Sequence, residues 1–309
     1  MQTIDIGVYI PQLSFGYQEM IDRALWADDL GLHSFWLMDH FYPPGLPQVP
    51  SLEAFTLASA LLARTSRIKV GHMVVCNNFR HPALVAKMAS TLDAVSPGRF
   101  VVGMGSGSYE AEHSQSGLLW GTFTERTERL GESLEVITTM FRQERTTFHG
   151  KHYSLTDMPN LPQPSRPPEV LVGGGGAKTL ELAARHADIW NCATYDLASL
   201  RTRTSGLREA CEAMGRDPSS IRLSLEAVLV IGETDDEVAD SLTVAERRYG
   251  GPGFGLKDGG FVGTPARIAE RIRALADEGI SLFVFFLHDR GTPRTLELLA
   301  NEVIPALAG

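Results

Sequence analysis

Apolar residues recur along this chain with two alternating periods. Residues 4–10 alternate as a strand, and residues 17–30 place Met20, Ile21, Ala24, Leu25 and Ala27 on one helical face. Gly31 stops that helix. The pair of signals then returns: strand 34–38, helix 52–64, strand 68–75, helix 82–95, strand 100–104. A charged helix over 124–142 precedes four further strands near 170–172, 188–191, 223–231 and 282–287, each followed by a helical segment. The pattern predicts about eight strand–helix units, the number that closes a parallel barrel, so the expected fold class is α/β, a (β/α)8 TIM barrel. A doubly wound open sheet is the rival, but it places its phosphate glycines after the first strand, and here the glycine-rich turns come late.

Two stretches break the rhythm. Residues 146–168 carry a hairpin signal at Gly150 and many prolines, and residues 250–260 have glycine at six of eleven positions. Both read as insertions at the C-terminal face of the strands, where glycine-rich loops often serve as lids. With no shift of composition to mark a boundary, residues 1–309 are expected to form a single domain.

Composition narrows the function. A chain with 43% hydrophobic and 21% charged residues can bury a full core. With 28 basic against 37 acidic residues the net charge is −9, which argues against a nucleic-acid partner, because backbone binding rests on clustered Lys and Arg. Cys76, Cys192 and Cys211 are odd in number and lack C-x-x-C spacing, so neither a disulfide framework nor a thiolate zinc site is expected. The first residues resemble no export signal, and no run of eighteen apolar residues occurs, so no membrane partner is expected and the expected location is the cytoplasm.

The chemically distinctive residues fall at the ends of different strands: Asp39 and His40 after the second, Cys76, Asn77 and Asn78 after the third, residues 103–108 at the fourth, Gly173, Gly174, Gly175 and Gly176 after the fifth, Asn191 at the sixth, and His288, Asp289 and Arg290 after the eighth. Barrel enzymes build their sites on that face. His40 suits proton transfer or stabilisation of developing charge. The bland alternative is that Asp39 caps a turn while His40 packs. The turn at 103–108 fails as G-x-G-x-x-G, since Ser108 holds the last position and no helix is expected until well beyond it. Its glycines can still let backbone approach a flat ring, or form a tight turn without a ligand. Gly173 to Gly176 run from a strand into a helix start, the arrangement of an anion site.

Other groups are weaker. His149 and His152 read as a solvated hairpin pair, and Glu110, Glu112 and His113 lack a fourth ligand, so no metal is expected and those three read as either near a cofactor or simply exposed. No G-x-S-x-G occurs. Glu226, inside the seventh strand, can point into the barrel, where a carboxylate needs a partner, although a structural pairing explains it equally well.

Taken in order, these segments resemble the bacterial-luciferase-like flavin-dependent oxidoreductase superfamily, and most closely its coenzyme-F420-dependent branch. The resemblance is carried by Ile6-Gly7-Val8-Tyr9-Ile10-Pro11-Gln12, Phe35-Trp36-Leu37-Met38-Asp39-His40, Phe79-Arg80-His81-Pro82, Phe100-Val101-Val102-Gly103-Met104-Gly105-Ser106-Gly107, Val170-Leu171-Val172-Gly173-Gly174-Gly175, Ala187-Asp188-Ile189-Trp190-Asn191 and Val262-Gly263-Thr264-Pro265. It spans nearly the whole chain. It implies hydride transfer at carbon five of the deazaflavin, with Asp39 near the ring and His40 beside the substrate. It also implies a non-prolyl cis peptide between Met73 and Val74 forming a bulge behind the ring. Cys76, Gly105, Ser106, Gly107 and Tyr109 would lie along the cofactor, and Gly173 to Gly176 would take its phosphate.

The alternatives from the same resemblance are a monooxygenase using flavin mononucleotide (FMN) and a non-enzymatic flavin-binding relative. The tract Met38-Asp39-His40-Phe41-Tyr42 looks more like the F420 branch. Sugar phosphate is one substrate class of that branch, but only Lys257, Arg290 and His288 offer positive charge at the strand ends. A less charged small molecule, such as an activated alkene, imine or carbonyl compound, is therefore expected. The resemblance also implies a homodimer.

Overall fold

The computed structural model describes residues 3–251 and 255–307. Eight parallel strands close on themselves: β1 (Asp5–Tyr9), β2 (Ser34–Leu37), β3 (Lys69–His72), β4 (Phe100–Gly105), β5 (Glu169–Gly173), β6 (Ile189–Ala193), β7 (Arg222–Ile231) and β8 (Ile280–Leu287). Each pairs with its neighbour in sequence, and β8 pairs with both β7 and β1, so the ring has no open edge. Strands covered on both faces read as near-continuous apolar runs, and β8, Ile-Ser-Leu-Phe-Val-Phe-Phe-Leu, does so.

Around the ring lie α1 (Tyr17–Asp29), α2 (Ala54–Arg64), α3 (Pro82–Val95), α4 (Glu110–Ser116), α5 (Phe123–Arg142), α6 (Ala177–His186), α7 (Leu200–Ala213), α8 (Asp235–Tyr249) and α9 (Pro265–Ala276). Their starts are chemically marked. The Glu53 carboxylate accepts the Phe55 and Thr56 N–H groups ahead of α2, and Pro82 opens α3, where its missing N–H costs nothing. Side chains facing the helices form the larger core, while Trp36, Met73, Val101, Leu171, Ile189, Leu282 and Val284 fill the barrel interior.

The third strand is not the unbroken run expected over 68–75. It stops at His72, passes through a cis Met73–Val74 bond at the place the resemblance implied, and resumes as Val75–Cys76. Gly71 pairs with Val101 and Val75 with Met104, so four steps on one strand oppose three on the other. That extra residue is a bulge, and it turns Val74 toward the barrel axis.

Three further expectations need correction. A helix does begin soon after Ser108: α4 starts at Glu110, with Glu110 and Glu112 at the favourable end of its dipole and Gly117 closing it in the left-handed conformation, φ 72°. Seven residues are too few to show a period, so packing rather than propensity holds it. The sixth strand runs two residues further than expected, to Ala193. Within 250–260, residues 252–254 lie outside the described residues, but Leu256–Gly259 is a helical turn leading into Phe261–Gly263, which pairs with the end of β7 instead of hanging as a loop. The 146–168 insertion contains the expected hairpin, Arg145–His149 against Ser154–Pro159.

Candidate active site

A cavity of about 300 Å³ opens at the C-terminal ends of the strands. It is lined by Asp39, His40, Met73, Val74, Cys76, Gly105, Ser106, Gly107, Tyr109, Gly173, Gly174 and Gly175, which brings together every candidate site residue except Gly176. Gly176 lies just outside, as the extended residue that caps α6. Beyond Asp39 and His40 lies a second hollow of about 420 Å³, with Phe41, Phe79, Leu84 and Met88 in its wall.

Asp39 is 4% exposed and is held from two sides. Its carboxylate accepts the Cys76 N–H at 3.0 Å and both terminal nitrogens of Arg80, at 2.7 and 2.9 Å. Arg80 also bonds Glu53 at 2.6 Å, and its guanidinium lies 4.8 Å from the Phe55 ring centre. Planar, two-pronged pairing of this kind fixes direction as well as charge. Asp39 thereby ties the end of β2 to the chain just past the Val74 bulge.

His40 is oriented by α4. Its Nδ1 lies 2.6 Å from Glu112 Oε2, while the other Glu112 oxygen accepts the Phe41 N–H at 2.6 Å. Glu112 is 1% exposed, so this buried carboxylate sets the ring plane and leaves Nε2, on the far edge, as the nitrogen available to a ligand. The neighbouring His113 turns elsewhere: its Nε2 lies 3.5 Å from Cys76 Sγ, and its ring packs between Phe79 and Trp120. Glu112 and His113 thus do not converge, and no group of three or more His, Cys, Asp or Glu suited to a metal occurs among the described residues. Burial pushes the Cys76 thiol up to about 12, which keeps it neutral.

The glycines have a measurable purpose. A Cβ on Gly105 would lie 2.5 Å from Val74 Cγ2, one on Gly173 3.2 Å from Val74 Cγ1, and one on Gly103 1.8 Å from the His72 carbonyl oxygen. They let β4 and β5 close around the bulge, so Val74 and bare backbone form one smooth wall. Gly174, at φ 118°, turns the chain toward α6, and its carbonyl accepts the Trp190 indole N–H at 2.8 Å. A Cβ on Gly175 would fall 1.4 Å from an Arg203 guanidinium nitrogen. This arginine, on α7, therefore lies against the glycine turn beside the α6 N-terminus, with the donors an anion needs.

Sequence reasoning missed Arg203, left Glu112 ambiguous and quoted Arg80 only as part of a motif. Glu226 of β7 lines the cavity, as its strand position suggested it could. By contrast Lys257, Arg290 and His288 do not line it: Lys257 is exposed, and the Arg290 guanidinium sits 3.9 Å from the Phe15 ring centre.

A slot walled by Val74 and glycine backbone, with an arginine and a helix N-terminus at one end, has the shape and charge that a flat redox ring with a phosphate tail requires. Comparison with known proteins agrees. The chain is 27% identical to the F420-dependent glucose-6-phosphate dehydrogenase of Kineococcus radiotolerans over 99% of its length and 98% of that protein's. It is 27% identical to the F420-dependent hydroxymycolic acid dehydrogenase of Mycobacterium tuberculosis, over 76% of this chain and 64% of that one. Its fold matches an F420-dependent secondary alcohol dehydrogenase, solved with an F420–acetone adduct, at a TM-score of 0.86 and 20% identity, covering 99% of both chains. Residues 3–258 match the family described as luciferase-like monooxygenase, and the chain belongs to that family.

Proposed function

We propose that this protein is a coenzyme-F420-dependent oxidoreductase that exchanges a hydride with a small substrate carrying no phosphate, a hydroxyl or carbonyl compound. The observation that carries the reading is the His40–Glu112 pair set beside the Val74–glycine wall in one cavity. The names of the relatives support the choice of cofactor, since both curated proteins are F420-dependent dehydrogenases. A substrate without phosphate follows from the position of Lys257, Arg290 and His288 outside the cavity and from the use of Arg203 at the glycine turn.

When bound, the coenzyme supplies carbon five of its ring as hydride acceptor or donor. The chain does the rest. Arg203 and the α6 N-terminus hold the anionic tail, and Val74, Gly105 and Gly173 offer a flat surface to the ring. Met73, Cys76, Ser106, Gly107 and Tyr109 complete the wall, and Gly174 to Gly176 shape the anion end. Asp39 anchors the bulge through the Cys76 N–H, and His40 meets the substrate oxygen through Nε2. We also propose that residues 1–309 act as one barrel domain in a cytoplasmic homodimer, as the family resemblance implies; sedimentation at micromolar concentration tests the stoichiometry.

Fluorescence titration of the purified protein with F420 and with FMN tests the assignment. Tighter binding of F420 is expected. Tighter binding of FMN with oxygen uptake would move the protein to the monooxygenases.

A further inference from the structure

Glu226 is an unusual residue to find in the middle of a barrel strand. It sits on β7 opposite Val284 of β8 and Ala193 of β6, and it lines the same cavity as His40. Among the described residues, the inward side chains near it include Val228 and Val230 on its own strand and Val284 and Phe286 on β8. The strand order places His40, after β2, and Glu226, on β7, at the two flanks of the wall made by β3, β4, β5 and β6. A substrate held against that wall therefore lies between an imidazole and a carboxyl group.

Among the described residues, titratable groups face Glu226 from several elements. From β1 comes Tyr9, whose phenol is raised by burial and then by Glu226, and so remains a neutral donor. From β6 comes Cys192, and from α8 Tyr249, whose ring lies 4.6 Å from Phe286. Lys257, on the helical turn packed near β7, is exposed. Across the cavity stand His40, Glu112, Asp39 and Arg203. Burial lifts the Glu226 carboxyl from 4.5 to about 7. A carboxyl poised there can both take and return a proton at neutral pH.

We propose that Glu226 is the general acid–base of the reaction, exchanging a proton directly with the substrate's hydroxyl or carbonyl oxygen while His40 steadies that oxygen from the other flank. The assignment rests on the function proposed above. In the oxidative direction the substrate O–H bond breaks and its proton goes to the Glu226 carboxylate. The bound oxidised deazaflavin would supply the hydride acceptor, so that as the carbinol C–H bond breaks its hydrogen would leave with the electron pair and the C–O double bond would form. His40, its ring held at Nδ1 by Glu112, meets the substrate through Nε2 during this change. The reverse sequence reduces a carbonyl compound, with neutral Glu226 giving the proton back.

The test uses the full chain, F420, and 2-propanol, 2-hexanol and cyclohexanol as probes. Glu226→Gln should bind F420 within about twofold of wild type by fluorescence titration. Its kcat should fall about 100-fold or more, the scale of a lost general base. Wild-type kcat should rise with pH to a plateau above about 7. Glu226→Gln should lose this limb, Glu226→Asp should keep it at reduced rate, and His40→Gln should lower kcat without removing it. Infrared titration of cofactor-free protein supplies a readout independent of turnover: Glu226→Gln should abolish a protonated-carboxyl band that disappears near neutral pH. Unchanged kcat and pH limb in Glu226→Gln, or no such band in wild type, overturns the assignment and leaves the F420 reading intact. Failure of wild type to bind F420, or to reduce it with any of the three alcohols, overturns the proposed function and this assignment with it.

Discussion

Replacing Arg80 with methionine isolates the electrostatics that anchor the cavity. Asp39 is 4% exposed, and Arg80 supplies two of the three hydrogen bonds described for its carboxylate. Methionine keeps the apolar stem that covers Phe55 but leaves a buried carboxylate with only the Cys76 N–H. Removing one partner of a buried pair costs about 3–5 kcal/mol. Because the Arg80 side chain is 15% exposed, water can replace part of its contribution, and the lower end applies. We therefore expect Arg80→Met to lose about 3 kcal/mol at pH 7. Adding Asp39→Asn removes the stranded charge while its amide oxygen still accepts the Cys76 N–H. The double variant should thus recover about 1–2 kcal/mol relative to Arg80→Met alone, a non-additive result between residues in contact. Urea unfolding of wild type, both single variants and the double variant measures all four corners. A double variant less stable than Arg80→Met, or an Arg80→Met cost below about 1 kcal/mol, would refute the claim that Arg80 chiefly neutralises a buried Asp39.

Other consequences follow from the same geometry. Gly175→Ala must displace the Arg203 guanidinium, so it and Arg203→Met should each weaken F420 binding about tenfold, or 1.4 kcal/mol, and flatten its salt dependence; undiminished affinity in both variants would remove Arg203 from the anion site. Glu112→Gln should leave F420 affinity unchanged but lower kcat about 10- to 100-fold, because the amide cannot hold His40 Nδ1–H and the Phe41 N–H as a carboxylate does; unchanged kcat would make Glu112 merely structural. Glu226 should also leave a mark on stability. Its folded pKa, about 7, exceeds the ordinary glutamate value of 4.5, so its contribution is fully present below 4.5 and is lost as pH rises through 7. The loss amounts to at most about 3 kcal/mol, less where cavity water solvates the group. Relative to wild type, Glu226→Gln should gain stability between pH 4.5 and 8 in urea unfolding, and a pH-independent difference would contradict the shift.

Much of the barrel was legible because its signals are local. The run Ile280–Leu287 is apolar at nearly every position, as a strand covered on both faces must be, and α1 shows one buried stripe. Asp39 and His40 stood out because two polar residues directly follow an apolar strand, and barrel geometry brings such positions to one rim. What could not be read depends on contacts without period. Glu112 lies 72 positions from His40, and nothing near it in sequence distinguishes it from Glu110, which is exposed. Arg203 shares its helix with Arg201 and Arg208 and reads as one of several solvated arginines until the chain folds Gly175 against it. The glycines were read as concessions to a ligand. Their first requirement is internal, since Gly103 and Gly105 must admit the His72 carbonyl and Val74.

Three acidic residues line one cavity and differ only in what surrounds them. Asp39 is balanced by a guanidinium, so it serves as a fixed charged anchor. Glu112 is spent on an imidazole and backbone amides, so it orients His40. Glu226 sits deep on its strand, and burial brings its proton into the neutral range. Burial raises the Glu226 carboxyl, while an ion pair and hydrogen bonds hold the other two in place, and these surroundings separate an anchor, an orienting group and a proton carrier. The division also predicts which substitutions are interchangeable: an amide can stand in for the anchor once Arg80 is removed as well, but not for a group whose purpose is to gain and lose a proton.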